Sequence, residues 1–470
     1  MSRFPAPQDF NIVTQSPPLA PLVTLRRRPR RRLLLVALDW TREKDPRVPL
    51  GHASLLASAR QAGVDVASLT VPLDAPGITF DAVFSRIQAA LAAHPDADLG
   101  IGAYVWNESY VQRLLPALRA AGYRGRIILG GPQISYQPDG LERIYPHADV
   151  FVRGYGEQAL VDIQSTNTPR SIHGVHWAGD ADRGEQARVQ LDELASPFLT
   201  GVVDIAGHRF IRWETQRGCP YRCSFCQHRE ADARPVLRRF GSHRIDDEIR
   251  HFVVRDVRSI AVLDPVFNLG EHPYDVLARL RHHSYRGRLS LQCHSDAMRD
   301  PERFLRACDG LDVHLEFGLQ TIHEAEMRAV DRRQSLDHFA AVLDQLRGAG
   351  RSFEVSVIYG LPEQTLASFL ETVRWCLRRR IPVIRAYPLV LLRGTKLSAE
   401  RARWGLREDG STIPAVVESN TFDRADWNAM AAIADALRRT EFQHPVHLEP
   451  LEHLACGAHP APLLHAPAPA

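Results

Sequence analysis

Lysine is almost missing from this chain of 470 residues. Only Lys44 and Lys396 occur, so nearly all of the 58 basic residues are arginine, and the formal net charge is +3. This bias weakens the significance of any arginine cluster, including the run RRRPRRR at 26–32. Because no aromatic residues alternate with that run, we expect a solvated arm there rather than a contact with nucleic acid.

Long apolar runs are also missing. No segment approaches the roughly 20 apolar residues that a membrane-spanning helix needs. The start, MSRFPAPQDFNIVTQ, has neither the apolar core nor the cleavage site of a signal peptide. We therefore expect a cytoplasmic protein with no membrane partner. Its seven cysteines are few and odd in number, which favours free thiols or metal ligands over a disulfide framework.

Apolar strand-like runs alternate with helix-like stretches from Leu33 onwards, which predicts an α/β fold with parallel sheets. The first set predicts a doubly wound sheet. The second set has six strand–helix units, whereas a full barrel needs eight, so it predicts a partial barrel. The expected order is a disordered basic arm (1–32), the doubly wound domain (33–165), a linker with a hairpin (166–208), the partial barrel (209–400) and a small C-terminal helical region with a tail (401–470).

The segment GCPYRCSFCQH at 218–228 holds three of the seven cysteines. The spacing of Cys219, Cys223 and Cys226 lets their thiolates turn towards one centre, and soft sulfur ligands suit an iron–sulfur cluster or zinc. A structural zinc site needs a fourth ligand, for which His228 is near. A ferredoxin-type cluster needs a fourth cysteine, and none lies at ferredoxin spacing. The residues alone leave a zinc centre and an iron–sulfur centre open.

The Cys-x3-Cys-x2-Cys spacing, with Phe225 in the aromatic position, resembles the motif of the radical S-adenosylmethionine (radical SAM) superfamily. Four further segments follow in the order that this family shows. They are SIAVLDPVFN (259–268), LEFGLQT (315–321), VIYGLPEQT (357–365) and LLRGTKL (391–397), the last with Arg393 where the family has proline. Five segments in the right order indicate this superfamily much more strongly than one motif does.

The resemblance implies that the three cysteines hold a 4Fe–4S cluster and leave one iron open to SAM. Cleavage of SAM by one electron then gives a 5′-deoxyadenosyl radical, which abstracts hydrogen from the substrate. An external electron donor of the flavodoxin, ferredoxin or reductase type is implied as a partner, and no individual catalytic residue is assigned. The residues implied near SAM are Phe225, Asp264, Asn268, Ser295, Glu316, Gln320, Ile358, Gly360 and Glu363.

Residues 127–163 resemble the cobalamin-binding domain that precedes many radical SAM barrels. Glycines at strand ends let a ligand approach the backbone, although the same glycines also suit plain tight turns. The Asp-x-His-x-x-Gly loop that ligates cobalt elsewhere is absent and His52 does not match its spacing, so we expect no protein histidine on the cobalt. The residues implied to contact cobalamin, if it binds, are Gly130, Gly131, Gly154, Gly156 and Glu157.

The favoured function is a radical SAM enzyme that acts with cobalamin on a small molecule of natural-product type, as in C-methylation. An alternative is a cobalamin-free radical dehydratase or deoxygenase of the aminoglycoside-biosynthesis type, which the short C-terminal region favours. A third, from another class, is a non-catalytic zinc or iron–sulfur binding module. No stacking stripe or appended domain indicates RNA as a partner.

Overall fold

A computed structural model describes residues 31–40, 45, 48–165, 171–206, 209–228 and 237–456. Nearly all of the expected basic arm, and the tail after residue 456, lie outside these ranges. Within them, no helix has both the length and the apolar character required to cross a bilayer.

The first domain is a six-stranded sheet with helices on both faces. Its elements are the strands β1 (Leu33–Asp39), β2 (Val66–Pro72), β3 (Asp98–Gly102), β4 (Ile127–Gly130), β5 (Val150–Val152) and β6 (Val175–Trp177), and the helices α1 (Leu50–Gln61), α2 (Phe80–Ala92), α3 (Glu108–Ala120), α4 (Pro132–Ser135), α5 (Leu141–Ile144) and α6 (Gly156–Gln164). The strand order is β2-β1-β3-β4-β5-β6. The first five strands are parallel, and β6 pairs antiparallel with β5. The doubly wound prediction is confirmed, and the segment expected to be a linker adds one edge strand.

The alternating side chains of β1 explain why helices pack against both faces of this sheet. Leu34 and Val36 belong to an apolar cluster with residues of α2 and α3, whereas Leu33 and Leu35 belong to a second cluster with residues of α1 and α6. Since successive residues of a strand point to opposite faces, such a strand is buried on both sides. The second cluster continues without interruption into the core of the following domain.

The second domain is a partial barrel. Its elements are the strands β7 (Phe210–Trp213), β8 (Gln216–Arg217), β9 (Arg238–Arg239), β10 (Ser259–Val262), β11 (Arg288–Cys293), β12 (Asp312–Gln320), β13 (Ser352–Tyr359) and β14 (Val383–Pro388), and the helices α7 (Ser242–Val254), α8 (His272–His282), α9 (Pro301–Ala307), α10 (Glu324–Ala329), α11 (Leu336–Gly348) and α12 (Leu366–Arg378). Six parallel strands follow the order β7-β10-β11-β12-β13-β14, as predicted. The short strands β8 and β9 form a separate antiparallel pair.

The C-terminal region covers one edge of this barrel. It comprises α13 (Lys396–Ala399), the antiparallel pair β15 (Arg407–Glu408) and β16 (Val416–Glu418), α14 (Arg424–Arg439) and α15 (Glu449–Cys456). Helix α14 contacts β14 and α12 and presents buried Trp427, Met430 and Leu437. The sequence predicted α14, and the structure adds α15 and the small strand pair.

The carboxyl ends of the parallel strands in both domains border one cleft of about 480 Å³. Gly102 and Gly130 end β3 and β4 on one side, and Glu214 and Leu263 follow β7 and β10 on the other. In open α/β sheets, ligands bind at the carboxyl ends of the strands. The fold therefore brings two such edges together.

Candidate active site

Residues 218–228, called the cluster loop from here on, follow β8 at the carboxyl edge of the barrel. The loop begins at Gly218, whose φ of 97° is a conformation that favours glycine. It is fixed by backbone hydrogen bonds from Cys226 N to the Cys223 carbonyl (3.2 Å) and from Ser224 N to the Val330 carbonyl (2.9 Å). The loop therefore has a defined shape that depends on contacts from the barrel.

The three predicted ligands lie close enough together to influence one another. Cys219 is buried, and Cys223 and Cys226 are half-buried. The pKa of Cys219 is raised to about 12, chiefly by burial and also by the neighbouring thiols of Cys226 and Cys223, against a backbone hydrogen bond from Tyr221. A thiol held protonated in this way becomes a thiolate ligand when a metal cation replaces the proton.

An iron–sulfur cluster fits this arrangement. In the described part of the chain, no three His, Cys, Asp or Glu side chains converge closely enough to hold a single metal ion. A cluster demands less convergence, because each cysteine ligates a different iron. His228, the nearby candidate for a zinc ligand, uses its backbone N–H to donate to Cys226 Sγ (3.4 Å).

Arg332 is a site residue that the sequence motifs did not reveal. It is buried after α10, and its Nη1 lies 3.6 Å from Cys223 Sγ. Its other nitrogens donate to the Gly318 carbonyl and to Gln334 Oε1 (2.9 Å to Nη2). A fixed guanidinium therefore lies beside one of the three predicted ligands. The signal in the sequence is weak, since arginine is so common in this chain.

Asp264 and Asn268 were predicted to lie near SAM, and their polar atoms already have partners within the protein. Asp264 accepts hydrogen bonds from Thr215 N (2.8 Å) and Gln216 N (3.2 Å) and from the Thr215 hydroxyl. Asn268 exchanges two hydrogen bonds of 2.9 Å with the backbone of His294. These contacts favour a structural role that fixes the strand ends around the cluster loop.

Gln320 has two unusual features for a residue at a strand end. Its φ is 69°, a left-handed conformation that is uncommon for residues other than glycine. Its side-chain Oε1 is buried and has no hydrogen-bond partner. A bulge in the pairing of β12 with β13 accompanies this conformation. Strain and an unsatisfied polar atom together are typical of a ligand-binding position.

Of the predicted residues, Phe225 lies in the cluster loop, Ser295 follows β11, and Glu316 is in the middle of β12. Phe225 packs against the core beneath the cluster loop. Ser295 is buried after β11, and its hydroxyl donates to Asp296 (3.3 Å). Glu316 lies in β12 in register with Gln292 and Glu354 of the neighbouring strands. The structure thus places all three in the barrel domain without showing a ligand contact.

His294 joins the cluster loop through ring stacking. Its ring lies parallel to that of Tyr221, with centroids 3.9 Å apart and an angle of 8° between the planes. Burial moves the pKa of His294 well below its usual value, so the ring is neutral, and its Nε2 is buried without a partner. The tyrosine within the cysteine motif gave no sequence signal of this contact.

The segment VIYGLPEQT separates into a buried and an exposed part. Gly360, with a φ of 92°, donates its N–H to Gln364 Oε1 (2.7 Å), and Gln364 also donates to the carbonyl of Ile358 (3.1 Å). Glu363 is exposed, with a φ of 62°. The buried polar residue of this turn is therefore Gln364, and the contact of Glu363 with SAM remains a prediction.

The interdomain cleft has the shape expected of a cofactor cradle. The predicted glycines at 130, 131, 154 and 156 all line it, together with Gly100 and Gly102 of β3, which the sequence analysis overlooked. A Cβ on Gly131 would lie 2.7 Å from the Ala103 carbonyl, and one on Gly154 would lie 2.5 Å from the Ala187 carbonyl. Any side chain at these two positions would collide with neighbouring backbone, so the turns at the edge of the cleft require glycine.

Glu157 also borders the cleft, but it is engaged by other residues. Its Oε1 accepts hydrogen bonds from Arg217 Nη1 (2.8 Å) and the Ser54 hydroxyl (3.0 Å). Burial alone would raise the pKa of Glu157, but the charge and hydrogen bond of Arg217 outweigh burial and lower it. Glu157 thus joins the two domains, and its predicted contact with cobalamin remains a prediction.

His52 lines the same cleft without offering a free nitrogen at Nε2, which is 2.9 Å from the Ser68 hydroxyl. Burial lowers the pKa of His52 to about 4, so the ring is neutral. The His52 ring is thus held against β2.

Comparisons with known families match both domains. Residues 213–376 match the radical SAM superfamily, and residues 45–164 match the B12-binding domain. The chain is 26% identical over 382 residues to the cobalamin-dependent radical SAM methyltransferase TokK of Streptomyces tokunonensis, which covers 71% of this chain and 55% of that protein. It is 25% identical over 386 residues to the 2-(S-pantetheinyl)-carbapenam-3-carboxylate methyltransferase of Streptantibioticus cattleyicolor, covering 73% of this chain and 56% of the relative. The chain therefore spans about half the length of these two relatives.

Solved structures support the fold. The radical SAM methyltransferase TsrM of Kitasatospora setae, with cobalamin and a 4Fe–4S cluster bound, has a TM-score of 0.66 at 16% identity, covering 85% of this chain and 84% of that one. The cobalamin-dependent radical SAM enzyme OxsB, with aqua-cobalamin bound, has a TM-score of 0.65 at 14% identity, covering 86% and 67%. At these identities the likeness concerns the arrangement of the two domains.

Proposed function

Because this chain is a radical SAM protein with an N-terminal B12-binding domain, we propose that it is a cobalamin-dependent methyltransferase acting on a small molecule of natural-product type. The observation that carries the proposal is the shared cleft. Its walls include the glycines of the B12-binding sheet and Gly218, Gln227 and His228 of the cluster loop. A corrin seated on those glycines would face the cluster loop directly.

The residues of the chain have separate tasks in this proposal. Cys219, Cys223 and Cys226 hold the cluster, and Gly130, Gly131, Gly154 and Gly156 let the cobalamin approach the backbone. When bound, these cofactors supply one-electron cleavage of SAM and methyl transfer through cobalamin. Enclosure between two domains excludes water from the reacting groups and holds them in fixed relative positions.

Contacts with SAM are proposed for a smaller set than the sequence suggested. Gln320, at the end of β12, has a buried side-chain oxygen without a hydrogen-bond partner. Gly360 begins the turn after β13, where its N–H donates to Gln364 Oε1. Contacts of Phe225, Ser295, Glu316 and Ile358 with SAM are proposed from their positions alone. A SAM contact has less support for Asp264 and Asn268, whose polar atoms have partners within the protein, and for Glu363, which is exposed. The electron donor is proposed to be an external protein of the flavodoxin, ferredoxin or reductase type.

Both curated relatives named above are methyltransferases, and the predicted glycines all line the cleft. These two observations favour methyl transfer over the cobalamin-free dehydratase. A dehydratase that used no corrin would have no need for a cleft lined by these glycines.

The proposal is tested by anaerobic reconstitution with iron, sulfide and hydroxocobalamin. After desalting, we expect about four irons and about one corrin per chain. On addition of SAM and reductant, we expect S-adenosylhomocysteine from methylation of the corrin and 5′-deoxyadenosine from radical cleavage. Four irons without corrin would favour the dehydratase, and zinc without SAM cleavage would favour the binding module.

The matched variants are alanine substitutions of cysteines. Replacing Cys219, Cys223 or Cys226 should abolish 5′-deoxyadenosine formation, because a cluster ligand is lost. Cys308→Ala, which removes a buried thiol next to α9, should retain it. Robust 5′-deoxyadenosine formation by any of the first three variants would overturn the assignment.

A further inference from the structure

The cluster loop is held at both ends by residues of the N-terminal domain. At its start, Arg217 immediately precedes Gly218. Arg217 donates to Glu157 of α6 through Nη1 (2.8 Å) and to Glu214 through Nε and Nη2 (2.9 and 2.8 Å). The side chains of Arg217 and Glu157 are only 11% and 6% exposed, so this pair is shielded from solvent.

At the end of the loop, Gln227 is held from two directions. Its side chain donates to the carbonyl of Arg393 (2.7 Å), and its own carbonyl accepts a hydrogen bond from the Tyr136 hydroxyl of the N-terminal domain. Gln227 is the residue next to Cys226. The position of the last cysteine is therefore tied to both Tyr136 and Arg393.

Arg393 itself reaches across the domain boundary. Its Nη2 donates to Glu108 Oε1 of α3 (2.7 Å), and its Nη1 donates to the Gln133 carbonyl (3.0 Å) and the Tyr145 hydroxyl (3.2 Å). Tyr145 donates in turn to Glu108 (2.7 Å). This is the position at which the sequence departs from the motif that it otherwise resembles. A proline there has no side-chain donor and would make none of these contacts.

The same residues that hold the loop also form the cleft. Tyr136, Glu157, Arg217 and Gln227 all line it. A ligand that fills the cleft therefore contacts the residues that fix both ends of the loop. A ligand shifts an equilibrium by its differential contacts with two states, and such coupling between two sites is reciprocal.

We infer that Arg217 and Arg393 are positioning residues that brace the cluster loop against the B12-binding domain, so that filling either cofactor site stabilises the other. The coupling part of this inference rests on the proposed function. The bracing part does not, because it concerns the chain alone.

The bracing part is tested by hydrogen–deuterium exchange of the full chain without cofactors. Arg393→Met and Glu108→Gln should each raise the exchange of a peptide covering 219–228, while peptides from α12 stay unchanged. Arg393→Lys, which keeps the ion pair but loses the forked donor, should give an intermediate result.

Arg119→Met is the matched control. Arg119 makes the same kind of contacts, donating to Asp149 (2.6 Å) and to the carbonyls of Tyr123, Gly125 and His147, and its side chain is 20% exposed against 22% for Arg393. It should lower the melting temperature without affecting 219–228. Unchanged exchange in Arg393→Met, or equal loss of protection in Arg119→Met, would overturn the brace.

The coupling part is tested by titrating hydroxocobalamin into the chain with and without the reconstituted cluster. The cluster should raise corrin affinity about fivefold or more in the wild type and in Arg119→Met, and by much less in Arg393→Met. Equal enhancement in Arg393→Met and wild type would overturn the coupling. A wild type that binds no corrin would instead contradict the proposed function, and the exchange experiment would still decide whether the loop is braced.

Discussion

Asp264 shows how a polar residue at a strand end can be committed to the fold. Its carboxylate is fully buried and holds the backbone of Thr215 and Gln216, directly before the cluster loop. Burial raises its pKa to about 7, although the hydrogen bonds from Thr215 and Gln216 act to lower it. Burial thus disfavours the charged form of Asp264, while its hydrogen bonds fix the backbone just before the cluster loop.

The pH dependence of stability should report this group. Between about pH 4 and 7 the folded chain retains a proton on Asp264 that the unfolded chain releases, so stability falls as pH rises, by about 1.4 kcal/mol per unit at most. Asp264→Asn, whose amide oxygen can still accept from Thr215 N and Gln216 N, should flatten this dependence in thermal unfolding of the cofactor-free chain. Asp81→Asn, at an exposed position, should not. Equal slopes for wild type and Asp264→Asn would contradict the assignment.

Replacing Gln320 should affect ligand binding and have little effect on stability. Glycine adopts a φ of 69° without strain, so Gln320→Gly should leave the melting temperature unchanged or raised. It should weaken SAM binding by about 3–10-fold, as expected for loss of one hydrogen bond. Equilibrium dialysis of SAM against the reconstituted protein measures this, and an unchanged affinity would show that the side chain does not contact SAM.

At the scale of elements, the segments that resemble known motifs lie at strand ends or in the turns that follow, and several of them depend on local backbone geometry. The turn after β13 and the glycines after β4 and β5 have backbone conformations that few residues other than glycine adopt. Glycine therefore occurs at these positions and can be recognised in the sequence. Gly100 and Gly102 lie inside β3 with ordinary strand geometry. They line a cleft that forms only where the two domains meet, and a local pattern could not reveal it.

Substitutions at Gly130 and Gly131 should distinguish an effect on corrin binding from an effect on stability. A Cβ on Gly130 would meet its nearest atoms at 3.7 Å, which is ordinary contact, whereas Gly131 has a φ of 92° and a carbonyl at 2.7 Å. Gly130→Ala should therefore keep the melting temperature and lower corrin retention. Gly131→Ala should lower both, by about 1 kcal/mol or more in stability.

Absorbance of bound hydroxocobalamin after desalting, together with thermal unfolding, distinguishes these variants. Gly348→Ala, at the end of α11 with open space around it, serves as the neutral control. Full corrin retention by Gly130→Ala would show that the corrin arm does not use this part of the cleft.

At the scale of the whole molecule, the decisive contacts join distant parts of the sequence. Arg217 and Glu157 are 60 positions apart, and Arg393 and Glu108 are 285 positions apart. The sequence identified Glu157 as a cofactor residue and Arg393 as a departure from a motif. Neither could be assigned to a domain contact, because pairing across such distances depends on how two complete domains dock.

Removing Arg217 should destabilise the docked molecule strongly. Arg217→Met leaves Glu157 buried without its partner, and breaking a buried pair costs about 3–5 kcal/mol. The double variant Arg217→Met/Glu157→Gln should recover part of that loss, because no unpaired carboxylate remains at 157. Urea unfolding of the cofactor-free chains compares the two, and a double variant no more stable than the single one would argue against a buried ion pair.

The unequal burial of the three cysteines has a consequence for handling the protein. Cys219 is buried with a pKa of about 12, so its thiol is protonated and shielded, whereas Cys223 and Cys226 are half-buried. Since alkylation and oxidation require an accessible thiolate, air or iodoacetamide should consume Cys223 and Cys226 first. A sample purified in air would then retain one intact thiol of three and fail to rebuild a cluster, while its fold and its interdomain cleft remained intact.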